Sequence, residues 1–104
     1  MAYYGLLQYT VTDVETWQRY AAATPAILAQ YGVKVLAVTG PGMQAPKVYE
    51  GAPQHAVTVI AEFESEAAFD RWYESPEYRR IIHLRTDSTD GWLIGMPAFP
   101  QPAR

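Results

Sequence analysis

The stretch that decides the fold runs from Phe63 to Arg80 and reads FESEAAFDRWYESPEYRR. A strand is predicted to end at Phe63, and Ser65 is placed to cap the first turn of a helix. Ser75-Pro76 then interrupts that helix and starts a second one, because serine suits an N-cap and proline suits the first helical position. A strand followed by two helical segments indicates an α+β protein that carries large aromatic side chains beside arginines.

The segments on either side extend this alternation of strands and helices. Apolar and β-branched runs predict strands over residues 4–11, 33–39, 56–63 and 92–96, with a short extra strand over 47–51. A capping box at Thr12 and Glu15 predicts the start of the first helix, and Pro25 predicts a kink or two abutting helices. The order βαββαβ is typical of a ferredoxin-like sandwich, in which helices cover one face of an antiparallel sheet.

The predicted strands are apolar at consecutive positions, for example Val59, Ile60 and Ala61. Such strands favour cover on both faces, and a second copy of the same sheet supplies it in so short a chain. We therefore expect a homodimer closed sheet against sheet, a dimeric α+β barrel. The alternative is a monomer whose sheet has one face exposed to solvent. Residues 1–96 are predicted to form a single domain, followed by a Pro-rich tail over 97–104 that is extended or flexible.

Composition narrows the possible functions. The chain has 104 residues, 49% of them hydrophobic, which suits one folded domain. Its net charge of -3 argues against a nucleic-acid partner, which normally meets a basic surface. The lack of cysteine removes disulfides and thiolate chemistry. No apolar run approaches the ~20 residues that cross a bilayer, and no signal peptide is evident, so we expect a cytoplasmic protein without a membrane partner.

Several segments together carry a family resemblance. They are Gln30-Tyr31-Gly32, Tyr49-Glu50-Gly51, Glu62 to Ala68, Trp72 to Tyr78 and Leu84-Arg85. From about residue 4 to residue 96 the chain resembles the DUF1330 family. The resemblance implies a dimeric α+β barrel, a superfamily that includes cofactor-free monooxygenases, muconolactone isomerase-like enzymes and haem-binding proteins, and it implies no particular reaction. The chain departs from the family pattern at Val33, where a second glycine is common, and at Gln54-His55, where a basic residue is usual.

Four residues are candidates for substrate binding: Trp72, Tyr73, Tyr78 and Arg85. The aromatic side chains could wall a cleft, and the planar guanidinium of Arg85 suits two oxygens of a carboxylate or an enolate. The alternative is core packing, because aromatic stripes usually bury against a sheet and an arginine at a helix end usually binds carbonyl groups.

Two further residues are candidates for proton transfer. Glu50 precedes Gly51 at the end of the extra strand, and a glutamate against apolar walls can act as a base. His55 opens the central strand and could shuttle protons. The alternatives for Glu50 are a surface carboxylate or a partner for Arg85. The alternative for His55 is a solvated side chain. His55 and His83 are the only histidines and do not form a metal-binding motif, so we expect neither a metal nor another cofactor.

These residues favour a small cofactor-independent enzyme of the isomerase, cyclase or monooxygenase type. Its ligand would be a small hydrophobic metabolite that bears a carbonyl or carboxylate group. The main alternative is a non-catalytic dimeric module that binds a small ligand or a partner protein. A third possibility is a structural dimer whose ancestral pocket has filled.

Overall fold

Four strands and three helices form the protein, in a computed structural model that describes residues 1–102. In chain order the elements are β1 (Tyr3–Val11), α1 (Val14–Gln30), β2 (Lys34–Thr39), β3 (Val57–Phe63), α2 (Glu66–Tyr73), α3 (Pro76–Thr86) and β4 (Thr89–Pro97). None of the helices within residues 1–102 is long and apolar enough to cross a membrane.

The strands form one antiparallel sheet in the order β2-β3-β1-β4. Leu6 of β1 lies opposite Ile60 of β3 on one side and Ile94 of β4 on the other, which fixes the register across three strands. The two chain-terminal strands, β1 and β4, are neighbours; α1 connects β1 to β2, and α2 and α3 connect β3 to β4, as in a ferredoxin-like sandwich. The predicted α+β ferredoxin-like fold is confirmed.

The two faces of the sheet differ in burial. On the helix-covered face, alternate residues of β1, namely Gly5, Leu7 and Tyr9, are buried. The opposite face carries apolar side chains that remain exposed, including Ile60, Trp92, Ile94 and Met96, each 38–43% accessible. We call this second surface the outer sheet face. It is a contiguous apolar surface of the kind that usually marks an interaction site.

The first helix is capped one residue later than the sequence indicates. Asp13, not Thr12, is the N-cap: its carboxylate accepts from the Thr16 amide at 3.2 Å and from the Thr16 hydroxyl at 2.8 Å. The amides of Thr12 (2.8 Å) and Asp13 (3.2 Å) both donate to the Ser88 carbonyl, which holds the start of α1 against the connection to β4. The capping-box prediction at Thr12 and Glu15 is therefore wrong.

Pro25 lies inside one continuous helix, so the expected division of α1 into two helices is wrong. Proline removes one helical hydrogen bond, that from its own nitrogen to the carbonyl of Ala21. Tertiary contacts offset this loss. The Tyr20 hydroxyl meets the Tyr78 hydroxyl at 2.7 Å before the proline, and the Tyr31 hydroxyl donates to Glu77 at 2.7 Å after it.

The extra strand predicted over 47–51 is absent: residues 40–56 form a loop without strand or helix. We call this segment the rim loop. Prolines at positions 46 and 53 flank the expected strand, and no neighbouring strand pairs with it. Residues 41–54 are all exposed.

The second half of the chain follows the sequence closely. The hydroxyls of Ser65 and Ser75 accept from the amides of Ala68 and Tyr78, each at 3.1 Å, so both predicted caps are confirmed. β4 extends beyond the predicted 92–96 at both ends. Residues 98–102 contain neither helix nor strand, although the amide of Ala98 donates to the carbonyl of Ala2 at 3.1 Å. The last two residues of the predicted tail lie outside the described residues.

Candidate functional site

A cavity of about 460 Å³ lies between α1 and the helix-covered face of the sheet. This volume is within the range of small-molecule sites. Its floor is formed by inward-facing residues of the sheet, such as Leu7, Val57 and Val59, and its roof by α1. The lining is almost entirely apolar, so the cavity suits a hydrophobic ligand.

The cavity exists because α1 leans against α3 instead of lying flat on the sheet. The Tyr20–Tyr78 and Tyr31–Glu77 hydrogen bonds hold α1 in that position. Several of the side chains that α1 contributes to the cavity wall are short, namely Ala21, Thr24 and Ala29. They do not fill the gap between the two layers, and the gap is the cavity.

The mouth of the cavity lies along β2 and the start of the rim loop. β2 contains a bulge: Val35 pairs with Ala61, but Ala37 pairs with Ile60. One extra residue between them keeps both Val35 and Val38 on the cavity side of the strand. These two valines remain 44% and 36% exposed although they line the cavity, so a ligand could enter between them and the neighbouring Met43.

A cluster of hydroxyl groups and one guanidinium lies beside the cavity. The Tyr20 hydroxyl, on the wall, shares a 2.7 Å hydrogen bond with the Tyr78 hydroxyl behind it. The Arg85 Nε donates to the same Tyr78 oxygen at 3.3 Å. Nearby, the Trp17 indole N–H donates to the Tyr9 hydroxyl at 2.8 Å, and both residues line the cavity. Arg85 is thus linked to the cavity wall through two tyrosines.

Burial decides the protonation states in this cluster. It raises the pKa of the Tyr78 hydroxyl, and the adjacent Tyr20 adds to the effect while Arg85 opposes it. Burial likewise raises the pKa of Tyr9, opposed by the Trp17 hydrogen bond and by Arg85. Both phenols therefore stay protonated at neutral pH and can donate hydrogen bonds.

Arg85 is a buried cation without an anionic partner among residues 1–102. Arg85 is only 7% exposed. Burial lowers the pKa of its guanidinium, but the neighbouring Tyr78 and Tyr20 raise that pKa by more. A guanidinium stays protonated in either case. An uncompensated buried charge costs several kcal/mol, on the order given for buried ions, so an anion bound nearby would be strongly favoured.

Trp72 lies on the cavity wall and carries an unpaired donor. The residue is 4% exposed, and its Nε1 has no hydrogen-bond partner among residues 1–102. Its ring packs against Tyr78, with 4.3 Å between the centroids, and against Phe63, at 5.4 Å. Buried indole N–H groups usually have a partner, and this one is enclosed by the surrounding side chains, with less than 1 Å² of accessible surface.

The family of the chain follows from its sequence. The model of the family described as "Domain of unknown function (DUF1330)" matches residues 2–98. The chain belongs to the DUF1330 family. The predicted resemblance is confirmed, and no curated protein matches this DUF1330 chain in sequence.

Solved structures similar to this DUF1330 protein share its fold at low sequence identity. RPA0582, a protein of unknown function from Rhodopseudomonas palustris, is 22% identical with a TM-score of 0.74, over 95% of this chain and 84% of that one. SnoaB, a cofactor-independent oxygenase from Streptomyces nogalater, is 14% identical with a TM-score of 0.62, over 96% and 95% of the two chains. A dimeric ferredoxin-like protein of unknown function from Thermobifida fusca is 11% identical with a TM-score of 0.58, over 94% and 92%.

The substrate-binding candidates cluster at one end of this DUF1330 cavity. Trp72 lies on the wall, and Tyr78 and Arg85 lie directly behind it. Tyr73 is half-buried and does not line the cavity; the Arg79 guanidinium lies 4.3 Å from its ring centroid. Its role in binding stays a prediction.

The proton-transfer candidates lie away from the cavity. Glu50 is exposed in the rim loop. His55, at the end of that loop, lies on the outer sheet face, with its Nδ1 2.9 Å from the Thr10 hydroxyl and its ring 4.8 Å from that of Trp92. The structure does not bring Glu50 or His55 next to Arg85, and their catalytic roles stay predictions.

Sequence reasoning missed three polar residues of the wall: Tyr9, Trp17 and Tyr20. Trp17 and Tyr20 belong to the stripe of α1 that is typical of core packing, and Tyr9 lies in a strand. The available signal was chemical: each of these residues carries a hydrogen-bonding atom at an inward position. Among residues 1–102, no group of three histidine, cysteine or acidic side chains is close enough together to hold a metal ion.

Proposed function

We propose that this DUF1330 protein is a small cofactor-independent enzyme that acts on a hydrophobic metabolite with a carbonyl or carboxylate group. The observation that carries the proposal is the buried Arg85, without a counter-ion, behind the polar end of an otherwise apolar cavity. A ligand that places an oxygen anion at this end would supply the missing negative charge. The apolar walls would hold the rest of the ligand.

The chemistry expected of such a site is stabilisation of an enolate. When a carbon next to a carbonyl loses its proton, the electron pair moves onto the carbonyl oxygen. Fixed donors in an apolar site stabilise that charge far more than water does. Here the donor on the wall is Tyr20, whose hydroxyl is backed by Arg85 through Tyr78. An enolate is the intermediate that isomerases and cyclases share, and it also reacts with O2 in an oxygenase.

The similarity to SnoaB supports this proposal at the level of fold. A cofactor-independent oxygenase in the same fold means that this architecture can carry such chemistry without a bound cofactor. At 14% identity the likeness does not carry a substrate across.

The second candidate function is a non-catalytic binding module. It is favoured by one observation: the described lining contains no aspartate, glutamate, histidine or lysine. Burial raises the pKa of Tyr9 on the wall, so this phenol stays protonated and is not a base at neutral pH. A binding module would hold the same ligand at the same place without turnover.

The test uses 2-tetralone, a two-ring ketone with acidic protons beside its carbonyl. Binding is followed by tryptophan fluorescence, since Trp17 and Trp72 line the cavity. Exchange of the acidic protons with D2O is followed by proton NMR. We expect the protein to accelerate exchange and Arg85→Met to lose about 100-fold of the acceleration, as when one oxyanion donor is removed. The matched control is Arg80→Met, an exposed arginine of the same helix.

The possible results separate the two functions. Exchange that is equal in Arg85→Met and the unmodified protein contradicts the enzymatic proposal. Binding without any exchange indicates the binding module. If Arg80→Met also lost 2-tetralone binding and proton exchange, the effects of both arginine substitutions would be due to destabilisation of α3.

We also propose that the outer sheet face is the interface of a homodimer, closing a dimeric α+β barrel. Ile60, Ile94 and Met96 are exposed there at 38–43%, and the similar Thermobifida fusca protein is described as dimeric. Replacing Ile94 with glutamate places an unpaired charge at the centre of this surface and is expected to give monomers in sedimentation velocity. A monomeric unmodified protein at micromolar concentration would contradict the proposal.

A further inference from the structure

The rim loop is fixed at both ends, at its start beside the mouth of the cavity and near its end by Thr10 on the outer sheet face. At its start, the Met43 amide donates to the Gly40 carbonyl at 2.9 Å, and Met43 lines the cavity. At its end, the Thr10 hydroxyl contacts the Gln54 carbonyl at 3.5 Å and His55 at 2.9 Å, and Val57 follows in the cavity floor. Between these anchors, no hydrogen bond joins residues 44–53 to the rest of the described chain.

The free part of the loop is exposed although it carries large apolar side chains. Val48 is 50% exposed and Tyr49 is 81% exposed. Within residues 1–102, the Tyr49 ring has one cation–π contact, with the Lys47 ammonium 5.1 Å from its centroid. A segment without buried contacts or hydrogen bonds opens and rearranges at little cost in free energy.

Gly42 precedes this segment, and Gly51 lies within it, directly after Glu50. Gly42 has φ +79 and Gly51 has φ +81, and open space surrounds both. Glycine adopts left-handed and right-handed conformations almost equally well, so these positions can absorb the rotation of the segment between them. The rim loop therefore combines exposed apolar side chains with glycines at which its backbone can rotate. These are the features of a lid in an open position.

Glu50 lies in this lid, directly after Tyr49. We propose that the rim loop folds over the cavity when a ligand is bound and carries Glu50 to it as the base that the walls lack. This inference rests on the proposed function and supplies its missing proton acceptor. Three residues separate Glu50 from the anchor at Gln54, and the four Cα-to-Cα steps between them span about 14 Å when extended.

The chemistry of the closed state is a balanced proton transfer. The Glu50 carboxylate takes the proton from the carbon beside the ligand carbonyl, the C–H electron pair enters the enolate, and the proton stays on Glu50. The enolate oxygen faces the polar end of the cavity, near Arg85. Val48 and Tyr49 close the mouth against water, and a carboxylate enclosed by apolar groups is a stronger base than one in water.

The experiment repeats the 2-tetralone exchange with Glu50→Gln and, as the matched control, Glu64→Gln, an exposed glutamate beside α2. We expect Glu50→Gln to lose about 100-fold of the exchange rate, the contribution typical of a general base, and to bind 2-tetralone with a dissociation constant within about twofold of the unmodified value. Glu64→Gln is expected to change neither quantity.

Lid closure has its own readout. Amide hydrogen exchange of residues 44–53, followed by mass spectrometry, is expected to slow when 2-tetralone is added and to remain fast without it. Unchanged exchange of this segment with ligand bound overturns the lid. Full catalysis by Glu50→Gln, while Arg85→Met is inactive, overturns the role of Glu50 and leaves the proposed function standing. Full catalysis by Arg85→Met overturns the proposed function instead.

Discussion

Replacing Tyr78 with phenylalanine tests the contacts that hold α1 away from the sheet. Tyr78 is fully buried, and its hydroxyl joins the Tyr20 hydroxyl at 2.7 Å to the Arg85 Nε at 3.3 Å. The substitution keeps the ring and removes only this oxygen. Two buried polar groups then lose a hydrogen-bond partner, one of them charged.

The magnitude follows from those two contacts. A neutral hydrogen bond contributes about 1 kcal/mol, and one to a charged group about 1.5–3 kcal/mol, with the longer Arg85 contact at the lower end. We expect Tyr78→Phe to lower the free energy of unfolding by roughly 2–3 kcal/mol. For a domain of this size that corresponds to a fall in melting temperature on the order of 10–20 °C.

The assay is urea unfolding followed by circular dichroism, at one fixed protein concentration because the proposed dimer couples stability to concentration. The control is Tyr4→Phe, which removes a hydroxyl whose one hydrogen bond within residues 1–102 is a long contact to the Glu62 carboxylate, at 3.4 Å. The control is expected to change stability by less than about 0.5 kcal/mol, as is usual for surface substitutions. Equal losses in the two variants would refute the reasoning that the Tyr78 hydroxyl is structurally central.

Three further substitutions give outcomes of known sign. Arg85→Met removes an uncompensated buried charge, so it is expected to raise the free energy of unfolding by about 1 kcal/mol in urea titrations while anion binding is lost; a clear destabilisation would contradict this. The Tyr31 hydrogen bond lowers the pKa of Glu77, so its contribution is present above the ordinary value of 4.5 and is lost as pH falls through the lower folded value. As the pH falls below about 5, Glu77→Gln should therefore lose less stability than the unmodified protein does, as measured by thermal melts. Asp13→Ala is expected to lower the free energy of unfolding by about 1 kcal/mol through loss of the α1 cap, and Thr12→Ala to lower it much less. A larger loss in Thr12→Ala would support a capping box at Thr12 instead.

Local signals in the sequence were sufficient for most elements of the fold. Ser65 and Ser75 cap their helices as expected, since each cap depends on a side chain and an amide three residues apart. The errors at Thr12 and Pro25 have a different origin. Thr12 is held by the Ser88 carbonyl, and the helix around Pro25 is held by α3, both contacts between distant parts of the chain.

The candidate site was predictable in its chemistry and not in its arrangement. Tyr78 and Arg85 share a helix face, which the spacing of seven residues indicates, and they do form a hydrogen bond. The partner that links them to the cavity, Tyr20, lies 58 residues away from Tyr78 in sequence. Nothing in the periodicity of α1 indicates that this helix leans on α3, and without that tilt there is no cavity. Glu50 was expected at the end of a strand, but it lies in a loop.

The bulge in β2 makes the entrance dependent on the exact length of that strand. Because side chains alternate along a strand, a deletion of Leu36 would turn one of the two flanking valines toward the opposite side. Such a deletion would alter access to the interior while leaving every residue of the polar cluster in place. Natural variation in the number of β2 residues among relatives would therefore report on the size of the molecules they admit.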